Sequence, residues 1–148
     1  MVTPTSAYLE DDIIHIKADG SVVFLGDQNF GGYKTIGVAL TIEHHIADDT
    51  LTKEETGSIH TNLGAGGTIT LTLPQDARAG DYFQFVAMVA QQLRIDPGAA
   101  GGIYVNGAKQ TDDKYIWADS EGESITLVAD GNGDWASLYG VGTWGVEE

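Results

Sequence analysis

The chain holds 148 residues, with 7 lysines and arginines against 22 aspartates and glutamates, for a net charge of −15 with histidines neutral. That charge repels phosphate backbones and anionic membrane surfaces, so no nucleic acid and no membrane is expected as a partner. Cysteine is absent, which excludes disulfides, thiolate metal ligands and thiol catalysis together, while apolar residues at 42% suffice for one core and 20 glycines announce many turns.

The opening run Met1-Val2-Thr3-Pro4-Thr5-Ser6 has no basic stretch leading into an apolar one, and no window approaches the ~18 apolar residues needed to span a bilayer. The expectation is a soluble protein made in the cytoplasm without a signal peptide. Strands are predicted at residues 12–17, 21–25 and 35–43, with turns at Ala18-Asp19-Gly20 and Asn29-Phe30-Gly31-Gly32. A polar run from 47 to 56 then closes a first zone. On this reading residues 1–56 form an arm and small β region for attachment or oligomerisation, and 57–148 form a β-sandwich module.

In the second zone, residues 68–73 alternate strictly, placing Ile69, Leu71 and Leu73 on one face and the threonines on the other, until Pro74 stops the strand. Residues 82–95 fit a helical stripe through Phe83, Val86, Ala90 and Leu93. Their aromatic and β-branched first half nonetheless favours strand, bend, strand. Ile103-Tyr104-Val105 before Asn106-Gly107, and Tyr115-Ile116-Trp117, are shorter strands. Residues 124–129 and 134–139 read as a hairpin through Asp130-Gly131-Asn132-Gly133. The predicted class is all-β, an antiparallel β-sandwich or jelly-roll-like domain with an extended N-terminal arm. Phe83, Phe85, Trp117, Ile125, Leu127 and Trp135 are its candidate core.

Chemistry is sparse along this pattern. His44 and His45 precede Asp48 and Asp49 by four residues, which on a helix would stack them into a divalent-metal site. On a strand the two histidines point to opposite faces, so exposed or subunit-interface histidines are expected instead. His15 and His60 stand alone and read as polar-face decoration. The run 130–134 resembles the start of a calcium loop, but Trp135 occupies the glycine position and Val141 the glutamate position, so a hairpin turn is expected. Whether either place binds a metal stays open; no cofactor is predicted.

Acidic doublets at Asp48-Asp49, Glu54-Glu55, Asp112-Asp113 and Glu147-Glu148, with Glu121 and Glu123, fall in predicted loops and a terminus, where solvated charge is their ordinary role. No serine lies in a nucleophile elbow, and Gly64-Ala65-Gly66-Gly67 lacks the lysine of a phosphate cradle. An enzyme is not expected. Trp117, Trp135 and Trp144, with Tyr104, Tyr115 and Tyr139, would serve either packing or sugar stacking.

Four blocks between residues 56 and 144 carry a likeness. They are Thr61-Asn62-Leu63-Gly64-Ala65-Gly66-Gly67-Thr68-Ile69-Thr70-Leu71-Thr72-Leu73-Pro74, then Gln92-Leu93-Arg94-Ile95-Asp96-Pro97, then Lys114-Tyr115-Ile116 leading to Gly122-Glu123-Ser124-Ile125-Thr126-Leu127, and finally Trp135 with Gly142-Thr143-Trp144. In that order they resemble a β-rich module of tailed-bacteriophage virion proteins, which occurs in capsid decoration proteins, head fibres and tail fibres. The resemblance implies a structural protein of the virion. Because a fibre usually needs a long shaft, the favoured form is a decoration, or cement, protein that binds the major capsid protein lattice from outside as a homotrimer. Capsid contact is then expected from Val2, Thr3 and Pro4 of the arm and from Asp27, Asn29, Phe30 and Tyr33 of the following loop. The alternative is a tail- or head-fibre subunit that touches host surface glycans.

Overall fold

A computed structural model describes residues 14–16, 22–24 and 40–148 of the chain. It divides into two units, 1–39 and 40–148. In the first, β1 (Ile14–Ile16) and β2 (Val22–Phe24) pair antiparallel, with His15 opposite Val23. Both lie inside predicted strands. The residues expected to touch a capsid, Val2, Thr3, Pro4, Asp27, Asn29, Phe30 and Tyr33, lie outside the described residues, as do residues 35–39 of the third predicted strand.

The second unit is built from β3 (Ile42–His44), β4 (Asp49–Thr50), β5 (Ile59–Thr61), β6 (Ile69–Thr72), β7 (Tyr82–Val86), β8 (Leu93–Asp96), β9 (Ile103–Val105), β10 (Ala108–Lys109), β11 (Ile116–Ala118), β12 (Ser124–Ala129), β13 (Trp135–Val141) and β14 (Gly145–Val146). A short 3-10 turn at Lys53–Glu55 interrupts them. The all-β class is as expected. The strands form a seven-stranded sheet, β10-β9-β13-β12-β7-β5-β3, and a five-stranded sheet, β14-β11-β8-β6-β4.

Pairing is mixed, where an antiparallel sandwich was expected. From β3 to β8 the chain changes sheet after every strand, so β3, β5 and β7 run parallel in one sheet and β4, β6 and β8 run parallel in the other. The antiparallel pairs come later, β7 with β12, β12 with β13, β8 with β11 and β11 with β14. Residues 42–50 therefore supply strands to the same sheets as the module that follows them, although their composition resembles the first zone.

One apolar core fills the space between the sheets. Leu51, Ile69, Leu71, Leu73, Leu93, Ile95, Ile116 and Ala118 close it from one side, and Phe83, Phe85, Ile103, Ile125, Leu127 and Trp135 from the other. Phe83 meets Trp135 edge-on at 5.7 Å between ring centroids. Of the six candidate core residues, Phe83, Phe85, Ile125, Leu127 and Trp135 are buried. Trp117 is only half-buried. It alternates out of phase with Ile116 and Ala118 on β11, and its indole lies over Gly145, where a Cβ would collide with the ring. Trp144 takes the core place that Trp117 was expected to hold, and its indole N–H donates to the Ser124 carbonyl at 3.1 Å.

Loops are fixed by side chains that satisfy backbone groups. Asn106 (φ 55) and Gly107 (φ 83) adopt the left-handed conformations that the tight β9–β10 turn requires. Asp130 accepts from the backbone N–H of Asn132 and Asp134, at 2.6 and 3.1 Å, and so closes the β12–β13 hairpin. Asn62, fully buried, clamps the β7–β8 connection: its Oδ1 accepts from the N–H of Met88 (2.7 Å) and Val89 (3.2 Å), while its Nδ2 donates to the carbonyls of Val89 (3.1 Å) and Gln91 (2.7 Å).

Truncating that clamp strands several backbone groups away from water. Asn62→Ala is expected to cost about 2–4 kcal/mol, read as a shift in the urea midpoint. An unchanged midpoint would show that water replaces the amide and that the clamp is dispensable.

Candidate functional site

Two features of the second unit stand out chemically, a buried histidine pair and an exposed sheet face. The pair arises from strand geometry. Glu43 and His45 are two residues apart and so share one face as the chain runs through and just past β3. Parallel pairing sets Glu43 opposite His60 of β5, and His60 in turn opposite Phe85 of β7. Phe85 belongs to the inner face, so all three side chains turn inward at the edge of the seven-stranded sheet.

His60 is fully buried and His45 nearly so, at 8% exposure, with Glu43 half-buried beside them. The expectation of polar-face decoration is corrected for His60, and of the pair expected to be exposed or at a subunit interface, His45 is buried within the chain. His44 faces solvent, its Nδ1 lying 2.7 Å from the Thr61 hydroxyl. His15 falls in β1, apart from this cluster in sequence and unit.

The two rings are joined end to end. His45 Nε2 lies 3.0 Å from His60 Nδ1, and their centroids are 5.2 Å apart. The outward nitrogens have partners of their own: His45 Nδ1 is 3.3 Å from the Asp49 carboxylate, and His60 Nε2 is 2.7 Å from the Ser58 hydroxyl. The Ser58 hydroxyl donates to the Glu55 carbonyl. Phe83 and Phe85 pack against the imidazole of His60, both at 5.7 Å.

Burial, reinforced by the positive charge of a protonated His45, drives the His60 pKa down from 6.5 to about 4, against the weaker pull of Glu55 and Asp49. Burial raises Glu43 above the ordinary carboxylate value, and the neighbouring Glu55 charge raises it further. For Glu55 burial again acts upward, but the hydroxyl and N–H of Thr52, at 2.7 and 2.5 Å, hold the carboxyl below its usual value. Ser58 is buried, its hydroxyl between the Glu55 carbonyl and His60 Nε2. What the arrangement offers is two imidazoles and a carboxylate, one ligand atom of each within 4.8 Å of the others.

The exposed face lies on the other side of the same sheet. Between β12 and β13 the register shifts at Thr126/Leu127: Leu127 pairs with Ser137 but Thr126 with Tyr139, leaving Leu138 as the extra residue of a bulge. The bulge exchanges the faces of β13, so that Trp135 points inward while Tyr139 and Val141 point outward. Tyr139 is 78% exposed and Val141 63%, and Leu138, Tyr82 and Tyr104 add further apolar surface. A shallow depression of about 290 Å³ runs beneath Tyr139 and Val141, floored by Gln84, Ser124 and Thr126.

The aromatics considered for sugar stacking are dispersed. Trp135 and Trp144 are in the core, Tyr115 lies under the Arg94 guanidinium at 4.6 Å, and Tyr104 and Tyr139 remain open. Acidic residues are largely engaged by the chain itself. Glu123 accepts from three backbone N–H groups, Asp119, Ser120 and Thr143, while Asp112 and Asp134 both bind Lys109. The inward cluster escaped sequence reasoning, although Glu43-x-His45 and Ser58-x-His60 both carry the two-residue spacing of a strand face. Neither a scan against protein-family models nor a search of curated proteins finds a match for this chain.

The folded chain refuses a proton on His60 that the unfolded chain accepts near pH 6.5. Stability is therefore present above that pH and falls as the solution is acidified toward 4. Between pH 7.5 and 5.5 the loss assigned to His60 is about 1 kcal/mol, and it should vanish from the urea midpoints of His60→Phe. An identical pH slope in that variant would reject the assignment.

Proposed function

We propose that the chain is a capsid decoration protein of a tailed bacteriophage virion, binding the major capsid protein lattice from outside as a homotrimer. The observation that carries the reading is the outer face of the seven-stranded sheet, where Tyr82, Tyr104, Leu138, Tyr139 and Val141 expose apolar surface on a chain of net charge −15. Large apolar side chains exposed on one sheet face of an otherwise charged protein mark a place of association. The resemblance of four sequence blocks, in order, to virion modules suggests the setting. A protein of this kind works by mass action: it binds only the assembled shell and so shifts the balance against rupture. The chain's acidity would keep decorated particles apart in solution.

The outer face is assigned to contact between copies. Tyr139→Asp combined with Val141→Asp should turn a sedimenting trimer into a monomer with unchanged circular dichroism, because both side chains are already exposed. Heads bearing the parental protein should carry hundreds of copies and survive heating that bursts stripped heads. A parental protein that is monomeric and never sediments with heads, or that is present in a handful of copies at the tail, would overturn the assignment; the second result would move the chain to the fibre class.

A further inference from the structure

We propose that Glu43, His45 and His60 bind one divalent first-row transition ion, the two imidazoles and the carboxylate supplying its protein ligands. One ligand atom of each residue lies within 4.8 Å of the others. Their convergence is set by backbone register, since Glu43 is paired with His60 across two parallel strands and His45 follows on the same face.

The outer nitrogens of the two rings face oxygens: His45 Nδ1 lies 3.3 Å from the Asp49 carboxylate and His60 Nε2 2.7 Å from the Ser58 hydroxyl. The inner nitrogens, His45 Nε2 and His60 Nδ1, face each other across 3.0 Å. A proton shared between them closes that gap but leaves the Glu43 carboxylate, the third member of the cluster, outside the arrangement.

A metal ion can engage all three residues at once. Two imidazole nitrogens about 2.0–2.1 Å from one ion stand roughly 2.9 Å apart at a right angle and roughly 3.4 Å apart at the tetrahedral angle. The observed separation lies in that interval. Two histidines with one carboxylate are a donor set suited to zinc, iron, cobalt or manganese. Each histidine places its outer nitrogen near an oxygen, 2.7 Å for His60 and 3.3 Å for His45, as ligating histidines do. Glu55 and Asp49 add negative charge close by.

The test uses the full chain, stripped with a chelator, verified as folded by circular dichroism, and titrated with Zn²⁺ by calorimetry and with Co²⁺ by visible absorption. Expected are one ion per chain, a higher thermal midpoint that EDTA reverses, and nitrogen NMR shifts at His45 Nε2 and His60 Nδ1 on adding Zn²⁺. Asp49→Asn should lower affinity about 10- to 100-fold, as loss of an orienting partner does. Glu43→Gln, which removes a ligand from a half-buried position, should lower it further, and His44→Gln should leave it unchanged. A folded, stripped chain that takes up neither ion at one per chain overturns the proposal. So does uptake that Glu43→Gln leaves intact, or that leaves the His45 and His60 nitrogens unperturbed, since the ion would then be bound elsewhere. The nitrogen shifts are read on the parental chain, so they decide the matter even if variants in the pair fail to fold.

Discussion

Each strand of the second unit has one apolar face, and that face can be buried only if an opposing sheet is present from the start. The chain meets this constraint by crossing between sheets after each strand from β3 to β8, so both walls of the core grow together. Parallel pairing is the consequence, because a strand that returns after a visit to the other sheet arrives running in the same direction as the one it left. The antiparallel β11, β12 and β13 then extend both walls, and Trp135 brings the largest buried side chain against Phe83. With no cysteine and no long helix among the described residues, burial of these inner faces is the main stabilising term available.

Inside such a core a polar side chain survives only with its partners supplied. Asn62 is satisfied four times over by backbone groups of one connection. His60 is satisfied differently, by other side chains in a row that ends at the surface with Asp49. The first arrangement fixes a loop and requires nothing more. The second leaves a choice about where protons sit, and that choice makes it chemically interesting.

How much of this could be read from residues alone depends on distance along the chain. The β12–β13 hairpin was legible because an alternating run, a glycine-rich turn and a second run are contiguous. Ile69, Leu71 and Leu73 were legible as inner residues for the same reason. Strand, bend, strand was legible over 82–95, but not that its two strands lie in different sheets, since nothing local encodes a crossing. His60 looked isolated because its neighbours His45 and Glu43 arrive through parallel pairing, whose register is set by long-range packing. Trp117 was misplaced because a tryptophan on a short strand says little about phase; Ile116 and Ala118 decide it. The outward turn of Tyr139 and Val141 depends on one bulged residue, Leu138, and strict alternation from Trp135 would have buried both.

The edge position of the histidine row carries a last consequence. β3 is the terminal strand of its sheet among the described residues, paired on one side only and exposing Leu40, Ile42 and Ile46 around it. Edge strands of three residues gain little from their own ladder and are the natural place for a sheet to fray or to recruit another chain. The side chains of Glu43, His45 and His60 tie β3 to β5 from the inner face, at right angles to the backbone ladder. Polar contact thus does at this edge what apolar burial does in the interior, joining two strands that the hydrophobic alternation alone would leave loosely associated.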